Sequence, residues 1–174
     1  NADLVAALNR RGAHAIGLSG SDAALLRAKK LVRTDGQDMG YVGELVEVNK
    51  TFLESLLAQQ YIPVISPIGL GPEGESFNMN ADLVAAGVAK ALGSEKLIYL
   101  SDSPGIVEGG ELVTDLTPAT LAGKLDAVRT SAITDALAGG VRAVHLIDGR
   151  TPHNVIAELF TDRGVGTIVR PEGT

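Results

Sequence analysis

Ser76-Phe77-Asn78-Met79-Asn80-Ala81-Asp82 is the stretch around which the rest of this sequence is arranged. Residues two apart on an extended strand point to the same side, so Asn78 and Asn80 can project together from a strand end. Asp82 can join them where an apolar helix begins. Polar groups between the carboxyl end of a strand and a helix N-terminus commonly hold anionic ligands in α/β proteins. A plain capped turn is the alternative, because Asn and Asp are also ordinary turn and N-cap residues.

Short apolar strands alternate with helices along most of the chain. The clearest predicted elements are a helix over 81–92 and buried strands over 96–100 and 142–147. The alternation predicts an α/β fold with a mostly parallel sheet, to which β-hairpins add antiparallel pieces. We expect residues 1–174 to form a single α/β domain. Further predicted elements are helices over 2–11, 128–137 and 152–160, a helix capped by Asn49, a β-rich region over 23–48 with a turn at Asp35-Gly36, strands over 15–18 and 61–65, and an edge strand over 164–169.

The composition narrows the class of protein. The 174 residues are 45% hydrophobic but only 3% aromatic, which suits a core of aliphatic strands and covering helices. A net charge of −6 without a basic run argues against nucleic-acid binding. The absence of cysteine excludes disulfides and thiol chemistry. No apolar run is long enough to span a bilayer and no signal peptide is recognised, so we expect a cytoplasmic protein without a membrane partner.

A second stretch with polar side chains, Ser101-Asp102-Ser103-Pro104-Gly105, follows directly after the strand over 96–100. Its place at the carboxyl end of a buried strand favours a loop open to a ligand, whereas a Pro-Gly turn with a capping Asp is the alternative. Other chemical motifs are missing from the sequence. The three histidines are far apart, and there is no Walker loop, Gly-x-Ser-x-Gly elbow or Gly-x-Gly-x-x-Gly run.

These motifs, taken together, resemble the N-acetyl-L-glutamate kinase family. The resemblance rests on the stretch 78–82 followed by 96–105, and it covers nearly all of the chain. It implies the amino-acid-kinase fold, a three-layer α/β/α sandwich, and transfer of the ATP γ-phosphoryl group to the side-chain carboxylate of N-acetyl-L-glutamate in arginine biosynthesis. Further matching segments are Gly43-Glu44 with Val48-Asn49, Tyr61-Ile62-Pro63-Val64-Ile65, His145-Leu146-Ile147-Asp148-Gly149-Arg150, Glu158-Leu159-Phe160-Thr161-Asp162 and Gly164-Val165-Gly166-Thr167.

The resemblance also implies roles for individual residues. Asn78 matches the asparagine that contacts acetylglutamate, Asn80 belongs to the same pocket, and Asp82 matches the aspartate that orients the catalytic lysines. The loop around the nucleotide is matched by Ser101, Asp102 and Gly105. The implied cofactors are ATP and Mg²⁺, with the metal ion held mainly by the nucleotide phosphates and not by a protein metal site.

Two parts of the family pattern have no counterpart in this sequence. The family begins with a Gly-Gly phosphate loop and a catalytic lysine, so we expect this chain to be the central and C-terminal, nucleotide-side part of a longer kinase. A Gly-Gly-Met segment with a second lysine should precede the late helix, but Ala127 runs straight into Val128, and Lys124 does not match. Either this segment is deleted or the sequence omits a mobile loop, in which case no peptide bond joins the two residues. Without both lysines we expect no turnover from the chain as written.

The C-terminal segment resembles that of arginine-inhibited members of the family. On this basis His153, Glu158, Gly164 and Gly166 are candidates for an arginine effector site, in which Glu158 accepts the guanidinium through two hydrogen bonds. The alternative is a solvated helix carboxylate beside a glycine turn. The resemblance implies a homo-oligomer, either a dimer or a hexamer. Two other functions stay open, namely a kinase for another amino-acid carboxylate, such as carrier-linked aminoadipate, and a non-catalytic arginine-sensing or nucleotide-binding module.

Overall fold

The computed structural model describes residues 1–33, 35, 38–161 and 164–173. It divides the chain into an N-terminal unit, Asn1–Leu92, and a C-terminal unit, Gly93–Thr174, and each is described here by itself. That residues 1–174 form one domain stays a prediction. Among the described residues, no helix combines the length and apolar character needed to cross a membrane.

The N-terminal unit combines a parallel strand pair with a small barrel. Strands β1 and β4 pair in parallel, and β2, β3, β6 and β5 close into the barrel. The strands β2 and β3 form the expected β-rich hairpin, whose predicted turn residue Gly36 lies outside the described residues. The elements are α1 (Ala2–Asn9), β1 (Ala15–Ser19), a 3₁₀ turn (Asp22–Ala24), β2 (Leu26–Val32), β3 (Asp38–Val48), α2 (Lys50–Ala58), β4 (Ile62–Ser66), β5 (Ile68–Leu70), β6 (Ser76–Asn78) and α3 (Ala81–Leu92).

Aliphatic side chains form most of the core of the N-terminal unit, as the composition predicts. Leu25, Leu26 and Leu53 are almost fully buried there, and Phe77 and Met79 bring the central stretch into the same cluster. The helix α2 begins where expected, because the Asn49 side chain accepts a hydrogen bond from the Phe52 N–H. The central stretch is therefore anchored in the core through its apolar members.

The C-terminal unit is built on a four-stranded sheet with the order β10-β12-β11-β7. Strand β11 is parallel to β7, and β12 runs antiparallel to β11 and parallel to β10. Its elements are β7 (Lys96–Ser101), the hairpin strands β8 (Ile106–Glu108) and β9 (Glu111–Val113), β10 (Asp115–Leu116), α4 (Pro118–Leu121), α5 (Ala127–Ala138), β11 (Ala143–Asp148), α6 (Asn154–Phe160) and β12 (Thr167–Val169).

The strand β12 lies inside this sheet, so its assignment to a sheet edge was wrong. It forms hydrogen bonds with β11 on one side and with the two-residue strand β10 on the other. A two-residue strand has too little periodicity to be recognised in a sequence, which is why the second neighbour was missed. The last predicted helix also begins later than expected, at Asn154, because His153 has a positive φ of 66° and cannot continue a helix before it.

The junction between Ala127 and Val128 is continuous. Both residues lie in the first turn of α5, and the Thr130 N–H donates to the Asp126 carbonyl across the junction at 3.0 Å. The Asp126 side chain caps this helix by accepting from the Arg129 N–H at 2.9 Å. The chain as given thus enters α5 without a Gly-Gly-Met segment or its lysine, and the omission of residues at this junction stays a prediction.

Candidate functional site

The central stretch forms the junction between the barrel and α3. Strand β6 ends at Asn78, which pairs with Val42 of β3 and Ile68 of β5. Burial alternates along the junction, with Phe77 and Met79 inside and Asn78 exposed. The period-two pattern therefore sends the apolar side chains into the core and presents the amide groups to solvent.

Asn80 is the N-cap of α3, which confirms for this residue the capped-turn interpretation. Its Oδ1 accepts from the Asp82 N–H at 2.9 Å and from the Leu83 N–H at 3.2 Å, and its carbonyl accepts from the Val84 N–H. Because the side-chain oxygen already accepts hydrogen bonds from the helix, a ligand would receive a hydrogen bond from the amide nitrogen instead. A substrate contact by Asn80 stays a prediction.

Asp82 is the second residue of α3 and is partly exposed. A carboxylate in the first turn of a helix is stabilised by the helix dipole. The barrel of the same unit carries two lysines. Lys29 forms an ion pair of 3.0 Å with Glu44, and Lys30 forms one of 2.8 Å with Asp38. The role of Asp82 in orienting catalytic lysines stays a prediction.

The second polar stretch lies at the carboxyl edge of the C-terminal sheet, where the sequence places it. We call residues 101–105 the strand-end loop. The parallel strands β7 and β11 end side by side, with Ser101 in register with Asp148. The Gly149 N–H donates to the Ser101 carbonyl at 2.8 Å, and the Ser101 hydroxyl lies 3.1 Å from that of Ser103. Two turns, one after each strand, thus meet at this edge.

Arg150 closes the second of these turns by holding Asp148 with two side-chain hydrogen bonds of 3.0 and 2.9 Å. The guanidinium, with the Arg150 backbone N–H, holds the pKa of the Asp148 carboxyl below its ordinary value. The pair is exposed on its arginine side. Arg150 belongs to the C-terminal segment that resembles arginine-inhibited members, but it was not among the candidate site residues, although an Asp-Gly-Arg turn directly after a buried strand could have indicated a role.

The last residue of the strand-end loop, Gly105, lies directly against Thr167. The sequence alone did not indicate a role for Thr167. Gly105 has a φ of 129°, and a Cβ on it would lie 2.6 Å from the Thr167 Oγ1. The same hydroxyl accepts from the Ile106 N–H at 2.8 Å and donates to the Val113 carbonyl at 2.6 Å. Only glycine fits at position 105, because both the positive φ and the close approach exclude a side chain.

Glu158 is buried and not solvated, so the interpretation as a surface carboxylate is wrong. It is 6% exposed, and its Oε1 lies 2.7 Å from the Nδ1 of His145, itself 3% exposed. Its Oε2 accepts from the Val165 N–H at 2.8 Å. Burial alone raises the pKa of the Glu158 carboxyl, but the hydrogen bonds from His145 and from the Val165 and Gly166 N–H groups hold it below its ordinary value. The carboxylate is therefore ionised and the His145 Nδ1–H donates.

The other effector candidates lie on either side of Glu158 in sequence. Gly166 is buried, and a Cβ on it would lie 2.3 Å from the Leu146 carbonyl oxygen, whereas a Cβ on Gly164 would lie 3.8 Å from the Glu158 Oε2. His153 is exposed at the start of α6. The structure thus joins Glu158 to the glycine turn. A contact with arginine stays a prediction.

The residues that the structure describes contain no group of three or more His, Cys, Asp or Glu side chains that could hold a metal ion. Besides the single carboxylates of Asp82 and Asp102, the candidate sites offer amides and hydroxyls. Such groups bind polar and anionic ligands by hydrogen bonding.

Comparison with known proteins places the chain in a family. A model described as "Amino acid kinase family" matches residues 1–148. The chain belongs to the amino acid kinase family. A solved isopentenyl phosphate kinase has the same fold, with a TM-score of 0.71 over 97% of this chain and 64% of that one, at 18% identity. The predicted amino-acid-kinase fold is therefore confirmed.

Curated relatives bear the name that the motifs indicated. The acetylglutamate kinase of Pelobacter propionicus is 44% identical over 190 residues, covering 98% of this chain, and that of Pelotomaculum thermopropionicum is 43% identical over 189 residues, covering 97%. The chain spans 64% of the length of each. Because the 190-residue match exceeds the 174 residues here, the Pelobacter enzyme has at least 16 residues within the matched span that this chain lacks.

Two structures of N-acetylglutamate synthase from Neisseria gonorrhoeae are also similar. The complex with coenzyme A and N-acetyl-glutamate has a TM-score of 0.81 and 31% identity, covering 90% of this chain and 38% of that chain. The complex with coenzyme A and L-arginine has a TM-score of 0.78 and 32% identity, covering 89% of this chain and 38% of that chain. Relatives of this chain thus include proteins crystallised with N-acetyl-glutamate and with arginine.

Proposed function

We propose that the protein containing this chain transfers the γ-phosphoryl group of ATP to the side-chain carboxylate of N-acetyl-L-glutamate. The observation that carries the proposal is the 43–44% identity to acetylglutamate kinases over 97–98% of this chain. The product is an acyl phosphate, as an early step of arginine biosynthesis requires. The relatives' shared name supports this substrate over carrier-linked aminoadipate.

In this proposal the central stretch binds the amino-acid substrate. The exposed Asn78 amide can donate to a carboxylate or acetyl oxygen of the ligand, and Asn80 lines the same pocket through its amide nitrogen. Asp82 acts without becoming a base, because phosphoryl transfer to a carboxylate needs positioning and charge neutralisation more than proton removal. Its carboxylate would orient ammonium groups at the transferring phosphoryl group.

The strand-end loop binds the nucleotide in the same proposal. Ser101, Asp102 and Gly105 lie at the carboxyl edge of parallel strands, where α/β proteins bind their ligands. Mg²⁺ commonly enters such sites bound to substrate phosphates with only one or two protein carboxylates, which suits the donor set found here. When bound, the ion neutralises charge on the transferring group.

A trapping assay tests the proposal directly. The intact protein that contains this chain is incubated with Mg-ATP, hydroxylamine and either N-acetyl-L-glutamate, L-glutamate or N-acetyl-L-aspartate, and the acyl hydroxamate is measured. We expect hydroxamate with N-acetyl-L-glutamate alone. Equal amounts with all three acceptors would contradict the substrate assignment. Binding of ATP without hydroxamate would favour a non-catalytic nucleotide-binding module, for which the lysine-free start of α5 is the one supporting observation.

Arginine is proposed as an inhibitor that acts through Glu158, with His153, Gly164 and Gly166 around it. The arginine complex of the Neisseria synthase, 32% identical over 89% of this chain, supports this part of the proposal. A guanidinium would have to replace the present partners of Glu158, so binding requires local rearrangement of the glycine turn. The assembly proposed with this regulation is a homo-oligomer, a dimer or a hexamer.

Arginine inhibition at saturating ATP, measured for the unsubstituted protein and for Glu158→Gln, tests the regulatory part. Losing a charge-assisted bidentate contact costs about 2–3 kcal/mol, so we expect a roughly 30- to 150-fold weaker response to arginine in the variant. Equal inhibition curves would remove Glu158 from the effector site. No inhibition of the unsubstituted protein would remove the regulatory proposal.

A further inference from the structure

The Thr167 hydroxyl links three segments that are far apart in the sequence. Thr167 is fully buried at the start of β12. It accepts a hydrogen bond from the N–H of Ile106, 61 residues away, and donates one to the carbonyl of Val113, 54 residues away. A single hydroxyl thus satisfies one backbone group at each outer end of the β8–β9 hairpin.

This contact fixes one end of the strand-end loop. Ile106 is the residue after the loop, and Gly105 approaches Thr167 so closely that no side chain could be added. The other end is fixed by the hydrogen bond from Gly149 to Ser101. Asp102 and the rest of the loop between these two ends stay partly or fully exposed. The conformation that a ligand meets is therefore held by the two end contacts and by the hydrogen bonds between Ser101 and Ser103.

Thr167 is itself held in place from the opposite side. Val165, two residues earlier, donates its N–H to the buried Glu158 carboxylate, which also accepts from His145 of β11. Gly166 packs directly against the Leu146 carbonyl. Residues 165–167 are thus anchored to the sheet, so the Thr167 hydroxyl would stay in place if the strand-end loop moved.

We propose that Thr167 is a positioning residue for nucleotide binding, because its hydroxyl holds the strand-end loop in its binding conformation. The inference rests on the proposed nucleotide role of that loop. Thr167 does not touch the nucleotide in this account. It acts through the Ile106 N–H and the close contact with Gly105, so its loss should affect ATP and not the amino-acid substrate.

The test compares Thr167→Val, which keeps the shape and removes the hydroxyl, with Thr167→Ser, which keeps the hydroxyl. We expect about tenfold weaker Mg-ATP binding by calorimetry for Thr167→Val, as for loss of the hydrogen bond that Ile106 donates, and binding within about threefold of the unsubstituted protein for Thr167→Ser. In the hydroxamate assay, the KM for ATP should rise by a similar factor, while the KM for N-acetyl-L-glutamate should stay within about twofold.

Val144→Ala is the matched control, because Val144 is fully buried in β11 of the same sheet and is in register with Leu97, at the end of β7 opposite to Ser101. It should lower stability without changing ATP affinity. Equal weakening of ATP binding in Val144→Ala and Thr167→Val, or no weakening in Thr167→Val, would overturn the inference. Absence of ATP binding by the unsubstituted protein would instead remove the proposed nucleotide role, and the inference with it.

Hydrogen exchange provides a second measurement if Thr167→Val does not fold. The Ile106 N–H of the unsubstituted protein should exchange more slowly when Mg-ATP is bound, because nucleotide binding stabilises the loop conformation that contains this hydrogen bond. An Ile106 exchange rate that does not change on saturation with Mg-ATP would overturn the inference.

Discussion

At the scale of single residues, Glu158 joins three segments of the C-terminal unit. It lies on α6, receives a hydrogen bond from His145 on β11, and receives another from the Val165 N–H before β12. Its charge is compensated by these donors, and breaking a buried charged contact is costly because the remaining groups lose their partner. Its effect on folding and any effect on arginine binding must therefore be measured separately.

We predict that Glu158→Gln lowers the free energy of unfolding by about 1–3 kcal/mol at neutral pH, because the amide has one acceptor oxygen for two donors and its NH2 group would face the other N–H. Urea unfolding followed by circular dichroism measures the difference. Glu54→Gln, on an exposed carboxylate of α2, is the control and should change stability by less than about 0.5 kcal/mol. Equal effects of the two substitutions would contradict the buried contact.

The two glycines beside Glu158 should respond differently to the same substitution. In Gly166→Ala the new Cβ would lie 2.3 Å from a backbone carbonyl oxygen, which cannot move without shifting β11. We expect a loss of roughly 1–3 kcal/mol or more, as for overpacked cores. Gly164→Ala, whose Cβ would lie 3.8 Å from its nearest atom, should stay within about 0.5 kcal/mol. Thermal unfolding measures the stability of both variants. Similar melting temperatures would contradict the close approach of Gly166 to the Leu146 carbonyl oxygen.

Asp82 and Asn78 are expected to affect different kinetic parameters. In the hydroxamate assay, Asp82→Ala should lower kcat by roughly 100-fold or more, because preorganised electrostatics at the phosphoryl group are lost. Asn78→Ala should mainly raise the KM for the amino-acid substrate. A folded Asp82→Ala enzyme with near-normal kcat would show that this carboxylate does not act in the chemistry.

At the scale of elements, Asn80 at the start of α3 caps the helix and is also proposed to bind the substrate. Asn80 closes the first turn of the helix through its side-chain oxygen, and the proposed substrate contact would use its amide nitrogen. Asp at this position keeps the cap but replaces the amide donor by a negative charge, whereas Ala removes both. The two substitutions therefore separate the helix cap from the ligand contact.

We predict that Asn80→Ala costs about 1 kcal/mol of stability and that Asn80→Asp costs almost none. Binding of the anionic substrate should weaken in both variants, because both lack the amide donor and the aspartate also repels a carboxylate. Urea unfolding and calorimetric titration with N-acetyl-L-glutamate measure the two effects. Normal substrate binding by Asn80→Asp would leave Asn80 as a helix cap alone.

At the scale of the whole molecule, the stability of the folded chain depends on carboxyl groups whose pKa is lowered. Asp38 is held by the Lys30 side chain and the Gly40 N–H, Asp148 by Arg150, and Glu158 by His145 and Val165 despite its burial. A lowered carboxyl pKa favours the folded state above the ordinary value and loses this contribution as the pH falls through the folded-state value. The first two ion pairs are exposed and screened by salt, but Glu158 is not.

We therefore predict acid destabilisation that begins near the ordinary carboxyl values, 3.8 for aspartate and 4.5 for glutamate, and increases below them. Unfolding free energies from pH 7 to pH 3 in about 0.5 M salt isolate the buried group, because the exposed pairs are then largely screened. The stability difference between the unsubstituted chain and Glu158→Gln should shrink as the pH falls. A difference independent of pH would mean that the charge on Glu158 does not contribute.

The local pattern of residues by itself determined the α/β class, the order of most elements and the location of the two polar stretches. The alternation at 76–82 and the apolar run of α3 were readable because both depend on neighbours within a few positions. The resemblance to acetylglutamate kinases likewise depended on short motifs. The ends of elements were less certain, as the start of α6 at Asn154, after His153, shows.

Only the tertiary structure decided the pairing of β12 inside the sheet, the burial of Glu158 against His145 and the contact of Thr167 with Ile106. The residues in the last two contacts lie 13 and 61 positions apart, so their effect arises from the way the chain folds back on itself. A helix carboxylate looks solvated in the sequence, because burial is set by what packs over it.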